Sequence, residues 1–270
     1  MGCQFKSNTF SFDGINFSEK HNMYLVSVGD NNNDTNINGH TVTIDEADDV
    51  GDIKSFAKIT REYVDINITI CKVVNNIIIP LSDDDLDLLN LELFKSNYRP
   101  FAVNNLIVNC IVKSSASYFN SANQGYINLV LHCEPFYRSH IISKEIICSN
   151  TKSIELINKS NIDEKLDVNI EIELYDTASY IDIRNNSNGT EVTFDGLTDT
   201  NEKHIVVYGE SIDGISMNYV QSVEDNSLNI LKKMTNRNWI KLSYGVNRLT
   251  INCIGKARVN ISYQNKIMFR

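Results

Sequence analysis

The chain has 270 residues, 42% of them hydrophobic, and 25 Lys and Arg against 34 Asp and Glu, for a formal net charge of -9. That length fits one large domain or two ordinary ones, and the apolar fraction supports a packed core rather than wholesale disorder. The acidic balance, with no basic run denser than Lys232-Lys233, excludes a surface that grips nucleic-acid phosphates.

At the start, "MGCQFKS" approaches a myristoylation signal, but Lys6 stands where Ser or Thr is wanted. Residues 1–20 lack the apolar core of a secretory leader. The longest aliphatic run, "NNIIIPL" from Asn75 to Leu81, is far too short to span a bilayer. No membrane partner is therefore expected. The cysteines, at positions 3, 71, 110, 133, 148 and 253, form no CxxC pair. Cys71, Cys110, Cys133 and Cys253 sit in strand-like runs, as small buried hydrophobes do, which predicts synthesis in a reducing cytoplasm.

The first elements are a strand, an Asp13-Gly14 turn and a second strand over 22–28. Polar loops follow at 29–40 and 45–54. In "YVDINITICKV" Val64, Ile66, Ile68 and Ile70 alternate with Asp65, Asn67 and Thr69, the pattern of a half-buried antiparallel strand. "SDDDLDLLNLELF" breaks this rhythm. Ser82 and Asp85 make a capping box, three aspartates suit the positive end of a helix, and Leu86, Leu89, Leu93 and Phe94 recur at helical spacing. This predicts one helix over about 82–96. Further strands are expected at 104–112 and 126–133. Residues 134–165 then read as mixed polar, and the domain boundary is placed between 148 and 149. Beyond it, Leu166, Val168, Ile170, Ile172 and Leu174 alternate again, as do Ala257, Val259, Ile261 and Tyr263. Strands at 179–184, 190–194, 203–208 and 247–253 lie between. The fold class is mainly β: a sandwich-like domain with one helix over 1–148, and an all-β sandwich over 149–270.

Catalytic patterns are missing. There is no Gly-rich phosphate loop, no G-x-S-x-G and no H-E-x-x-H, and the histidines at 21, 40, 132, 140 and 204 are scattered. Glu171 and Glu173 share a strand face at roughly 7 Å, a spacing that could suit an acid and base pair. Asp167 shares that face and nothing apolar interleaves, so the expected reading is a solvated outer face. The loop from Asp30 resembles a calcium loop, but Thr35 and Thr41 replace the required Gly and Glu. No catalytic, metal or cofactor site is expected. Trp239 is the single tryptophan, and composition alone leaves it open between a sugar-stacking platform and a packing anchor.

The order of the pieces resembles the distal tail proteins, or tail-tip hubs, of long-tailed phages that infect Gram-positive bacteria. Asp13 and Gly14 at the first turn, Tyr98 and Pro100 after the helix, and the Gly125-to-Pro135 strand are similar to that family's N-terminal domain. Trp239, Leu242, Gly245 and Asn247 are similar to the late signature of its galectin-like C-terminal sandwich. The resemblance implies a structural virion protein with no catalysis, made in the host cytoplasm and placed at the tail tip. It implies a homo-oligomer, a hexameric ring formed by the N-terminal domains around a channel through which DNA passes without specific binding. Implied partners are the tail tube protein, the tail-tip or tail-associated lysin protein, the tape-measure protein and a receptor-binding protein. In this setting Trp239 and Leu242 anchor the sandwich, Gly245 supplies a turn and Asn247 bonds the turn backbone. The alternative is a monomeric galectin-like carbohydrate-binding protein.

Overall fold

The structure, a computed structural model, describes residues 8–28, 40–44, 56–61, 63–114, 124–162, 164–209 and 219–268. The expected loops at 29–40 and 45–54, the Asp30 motif and the MGCQFKS start lie outside the described residues, except that His40 and Thr41 begin a strand rather than end a loop. Two compact units emerge: residues 1–138 with 268–270, and residues 139–267.

The first unit opens on a hairpin, β1 (Ser11–Phe12) and β2 (Ile15–Asn16). Its turn residues Asp13 and Gly14 have φ of 51° and 79°, the left-handed pair that a tight two-residue hairpin requires. Helix α1 (Phe17–His21) follows at once, where the sequence reading placed no helix. Asn16 caps it, accepting from the Ser18 and Glu19 amides at 3.1 and 3.3 Å. The strands then run β3 (Met23–Val28), β4 (His40–Ile44), β5 (Phe56–Arg61), β6 (Val64–Val74) and β7 (Ile77–Ile78). After helix α2 (Asp83–Leu93) come β8 (Arg99–Val103), β9 (Leu106–Ser114), β10 (Tyr126–Cys133) and β11 (Phe136–Arg138). The main sheet is antiparallel in the order β2-β1-β8-β9-β10-β6-β3, with β7 on β6 and β11 on β9; β4 and β5 pair with each other. Alternation places Ile66, Ile68 and Ile70 of β6 and Ile127, Leu129 and Leu131 of β10 in the core. Phe10 joins them, stacked on Phe17 at 5.2 Å and on Phe101 at 5.5 Å.

Helix α2 forms as its capping box predicts: the Ser82 amide donates to Asp85 at 2.9 Å and the Asp85 amide to Ser82 Oγ at 3.3 Å. It buries Leu89 and Leu93. It ends at Leu93 rather than near 96, because Phe94 leaves helical geometry and Lys95 closes the end. The Lys95 amine donates to the Leu91 carbonyl at 2.8 Å. Glu92 ties α2 to α1 through Lys20 at 2.8 Å and His21 at 2.7 Å. Partial burial alone would raise the Glu92 carboxyl, but the hydrogen bonds from Lys20 and His21 outweigh it and hold it below the ordinary 4.5. A depressed folded-state value gives stability that is present above the unfolded value and is lost as pH falls through the folded one. Glu92→Gln should therefore destabilise the unit by about 1–2 kcal/mol near neutrality. In urea titrations across pH, the gap to the unsubstituted protein should narrow as pH falls from neutrality through the acid range, because the lowered Glu92 carboxyl is then protonated in the folded protein too. A gap that stays the same at every pH would contradict the pairing.

The second unit is built on three long strands, β12 (Ile142–Asn158), β14 (Asn169–Asn185) and β20 (Gly245–Tyr263). Between and beside them lie β13 (Leu166–Asp167), β15 (Thr190–Phe194), β16 (His204–Tyr208), β17 (Tyr219–Ser222), β18 (Met234–Asn238) and β19 (Lys241–Leu242), with short 3-10 turns at Thr200–Glu202 and Ile230–Lys233. The order is β12-β20-β14-β15-β18, with β16 on β14 and β17 on β16. This sheet is folded over. The Lys144 amine bonds the Glu155 carbonyl at 3.0 Å although the two stand 11 residues apart in one strand. A straight strand would separate them by about 36 Å. The fold line runs through Asn150 (φ 76°), Gly255 (φ 95°) and the register break between Tyr175 and Tyr180. One layer thus holds 142–149, 256–263, 169–175, β16 and β17; the other holds 151–158, 245–252, 180–185, β15 and β18. Their inner faces share one core, from Ile146, Val259, Ile172 and Val207 to Leu156, Ile251, Ile183 and Phe194. Strands that pass from layer to layer at a bulge are a known way to close a sandwich.

The break between the units falls at 138/139, whereas the expected 148/149 falls within β12. The polar residues that read as a linker are the outer face of that strand.

Candidate functional site

Among the expected signature residues of the first unit, the Asp13-Gly14 turn meets Pro100, while Tyr98 packs into an aromatic group of its own. The Asp13 amide donates to the Pro100 carbonyl at 3.0 Å, and Arg99 stands 3.8 Å from the Asp13 carboxylate. Because Pro100 turns its carbonyl toward the β1–β2 turn, the N–H it lacks would face the same side, and the β8–β9 ladder loses nothing. Tyr98 packs on Tyr63 at 5.3 Å and on His132 at 6.2 Å, while Tyr63 stacks on His132 at 5.3 Å. His132 Nδ1 meets Asp65 at 2.5 Å and Lys113 approaches the same carboxylate at 3.6 Å. Burial first, then the neighbouring Tyr63 and nearby acidic groups, pushes the Tyr98 phenol up to about 12, so it stays neutral. The sequence showed Tyr98 but not its partners, which alternation alone cannot bring together.

Gly125 and Pro135 bracket β10. Gly125 has φ of 80°, and a Cβ there would lie 2.4 Å from the Ile79 carbonyl oxygen. Pro135 is buried. Beside it, Glu134 accepts from Arg138 Nη2 at 3.0 Å, from its Nε at 3.2 Å and from Asn109 at 3.2 Å, which fastens β11 to β9.

In the second unit Trp239, Leu242, Gly245 and Asn247 lie along one segment, from just before β19 through the turn that opens β20. Trp239 is half-buried against the core and Leu242 is fully buried. Gly245 turns with φ of 89°. The Asn247 amide oxygen accepts from the Ser243 amide at 2.9 Å and from Asn185 at 3.0 Å; its nitrogen donates to the Ser243 and Gly245 carbonyls at 2.7 and 3.1 Å. Three further asparagines complete the frame. Asn185 and Asn188 donate to the Lys241 carbonyl at 2.8 and 2.7 Å, and Asn158 donates to the Leu242 carbonyl at 3.0 Å. Side-chain amides replace strand neighbours here, supplying the donors and acceptors that buried backbone demands.

The carboxylate pair is arranged for charge pairing, not acid catalysis. Glu171 meets His204 at 2.9 Å, and Glu173 meets Arg258 at 2.5 Å. The His204 hydrogen bond holds the Glu171 carboxyl below its usual range, opposite to the raised value a general acid needs. Among the described residues no group of His, Cys, Asp or Glu could hold a metal ion, and no helix is long and apolar enough to cross a membrane. What the surface does expose is apolar. Ile77 and Leu91 lie open in the first unit, at 65% and 73% exposure. In the second, Tyr244 stands 77% exposed near the paired Val246 and Ile157. Exposed apolar groups of this kind suit contacts with other proteins.

In fold, the chain is similar to the hub and baseplate proteins of phage tails. The SPP1 Dit protein, described as a paradigm of the hub adsorption apparatus in phages infecting Gram-positive bacteria, aligns at a TM-score of 0.53 and 11% identity, over 95% of this chain and 98% of its own. The baseplate of phage P2, in its activated conformation with Ca, contains a chain that aligns at 0.53 and 10% identity, over 97% and 99%. The same baseplate with Sr gives the same values. No family model matches the chain, and no curated protein matches its sequence. The resemblance read from the sequence is thus met as a likeness of fold.

Proposed function

We propose that this chain is a structural virion protein, a distal tail hub whose copies form a hexameric ring joining the tail tube to the host-recognition apparatus at the tail tip. The observation that carries the reading is the end-to-end extent of the likeness to SPP1 Dit, 95% of one chain on 98% of the other. A shared β module alone would align only one unit. In this role the first unit builds the ring, and the signature residues Asp13, Gly14, Tyr98, Pro100, Gly125 and Pro135 set its strand entries and turns. The second unit, a galectin-like sandwich, presents a docking surface for a receptor-binding protein, with the segment of Trp239, Leu242, Gly245 and Asn247 as its frame. The tube protein, the tail-associated lysin protein and the tape-measure protein are the further partners. A charge of -9 per subunit gives a ring that repels passing DNA rather than holding it.

Light scattering on the purified protein, across concentrations, tests the ring. The expected species has six times the 30.6 kDa subunit mass. A monomer at every concentration that is also retained on cell-wall polysaccharide would favour the carbohydrate-binding alternative instead.

A further inference from the structure

The fold line of the second unit carries two thiols on its inner side. Cys148 lies just before Asn150 on β12, and Cys253 just before Gly255 on β20. These are the two residues where the paired strands bend, and the ladder skips between Ser149 and Thr151. Cys253 Sγ donates to the Cys148 carbonyl at 3.5 Å and Cys148 Sγ to the Ile251 carbonyl at 3.5 Å, so each side chain reaches across to the other's strand. Both are buried, at 0% and 5% exposure, yet their chain neighbours Ile147 and Ile254 are open at 50% and 65%. The pair sits one residue beneath the surface, at the place where strand pairing is broken.

We propose that Cys148 and Cys253 are a redox modification site, a thiol pair that closes to a disulfide across the fold line when a peroxide reaches it. One thiolate attacks a peroxide oxygen; the O–O bond breaks, hydroxide leaves and a sulfenic acid remains. The second thiol sulfur then attacks the sulfenic sulfur, the S–S bond forms and water leaves. The two electrons lost by the sulfurs reduce one hydrogen peroxide to two waters. The bond joins two of the three long strands where they pass between layers, and it limits how far the unfolded chain can expand. Burial, and next the hydrogen bond with Cys253, pushes the Cys148 thiol up to about 11. Cys148 is therefore slow to react at neutral pH, and its attack on peroxide should speed up about tenfold per pH unit between 7 and 9, as its thiolate fraction rises. A hub assembled in the cytoplasm and then carried outside the cell would meet oxidant only after assembly. That timing rests on the proposed tail role, and failure of the pairing leaves the role untouched.

The test uses the full-length protein, treated with hydrogen peroxide at pH 7 and pH 9, alkylated, digested without reductant and analysed by mass spectrometry. The expected product is a peptide pair linking Cys148 to Cys253 and lacking two hydrogens. It forms faster at pH 9, with a rise of several degrees in the melting midpoint that dithiothreitol reverses. In Cys253→Ala the linked pair should vanish and Cys148 should react with dimedone as a sulfenic acid. Two results would overturn the proposal: Cys148 and Cys253 still alkylating as thiols at the rate of buried Cys71, or a bridge from Cys148 that persists in Cys253→Ala.

Discussion

Replacing Gly125 with alanine is expected to cost the first unit about 3 kcal/mol or more. Two penalties coincide at this position. The backbone is left-handed, with φ of 80°, and the added Cβ would fall 2.4 Å from the Ile79 carbonyl oxygen and 2.8 Å from Ile78 Cγ2. The first atom is backbone just beyond β7, so relief requires the β6–β7 hairpin to shift where it meets β10. Gly14 provides the internal comparison. Its φ is 79°, but nothing lies within 4 Å of a Cβ there, so Gly14→Ala should cost only about 1–2 kcal/mol of conformational strain. Urea midpoints for the two variants separate the contact from the strain. Equal losses would mean that the close approach at Gly125 does not matter.

The second large effect is expected at Asn247. Its side chain is fully buried and makes four hydrogen bonds, three of them to the backbone of the 243–245 turn and one to Asn185. Asn247→Ala leaves the Ser243 amide and two carbonyls without their partner inside the protein, at about 1–3 kcal/mol for each group stranded. A total near 4 kcal/mol and a fall of about 15 °C in the melting midpoint of the second unit are expected. Asn247→Asp keeps the shape but sets a carboxylate oxygen against the Ser243 and Gly245 carbonyls, so it should be no better than alanine. An aspartate variant that melts with the unsubstituted protein would show that volume, not hydrogen bonding, holds the loop.

Much of this fold was legible because strands announce themselves by alternation. β6, β10, the run 166–174 that became β13 and the first half of β14, and the 257–263 half of β20 each bury one alternating set of residues, and Ser82 with Asp85 marked the start of α2. What stayed hidden has physical causes. β12 reads as polar because its outer face carries Ser143, Glu145, Thr151 and Ser153, while the inner series Ile146, Cys148, Ile154 and Leu156 is interrupted at the fold. Helix α1 is five residues long, shorter than two turns, so no apolar period exists to be seen. The folding of one sheet into two layers depends on left-handed turns at Asn150 and Gly255, on two paired strands far apart in sequence, and no local window contains both. The asparagine frame draws Asn158, Asn185, Asn188 and Asn247 from distant positions in a chain already rich in asparagine. Only Asn247 stood out, through its place after Gly245.

The central claim is that this chain sits at the end of a phage tail. The direct measurement is electron microscopy of particles released from producing cells, labelled with gold-conjugated antibody raised against the purified chain. Gold confined to the distal tip of the tail tube is the predicted result. Gold along the tube or on the head, or label found only on free protein and cell-wall fragments, would contradict it.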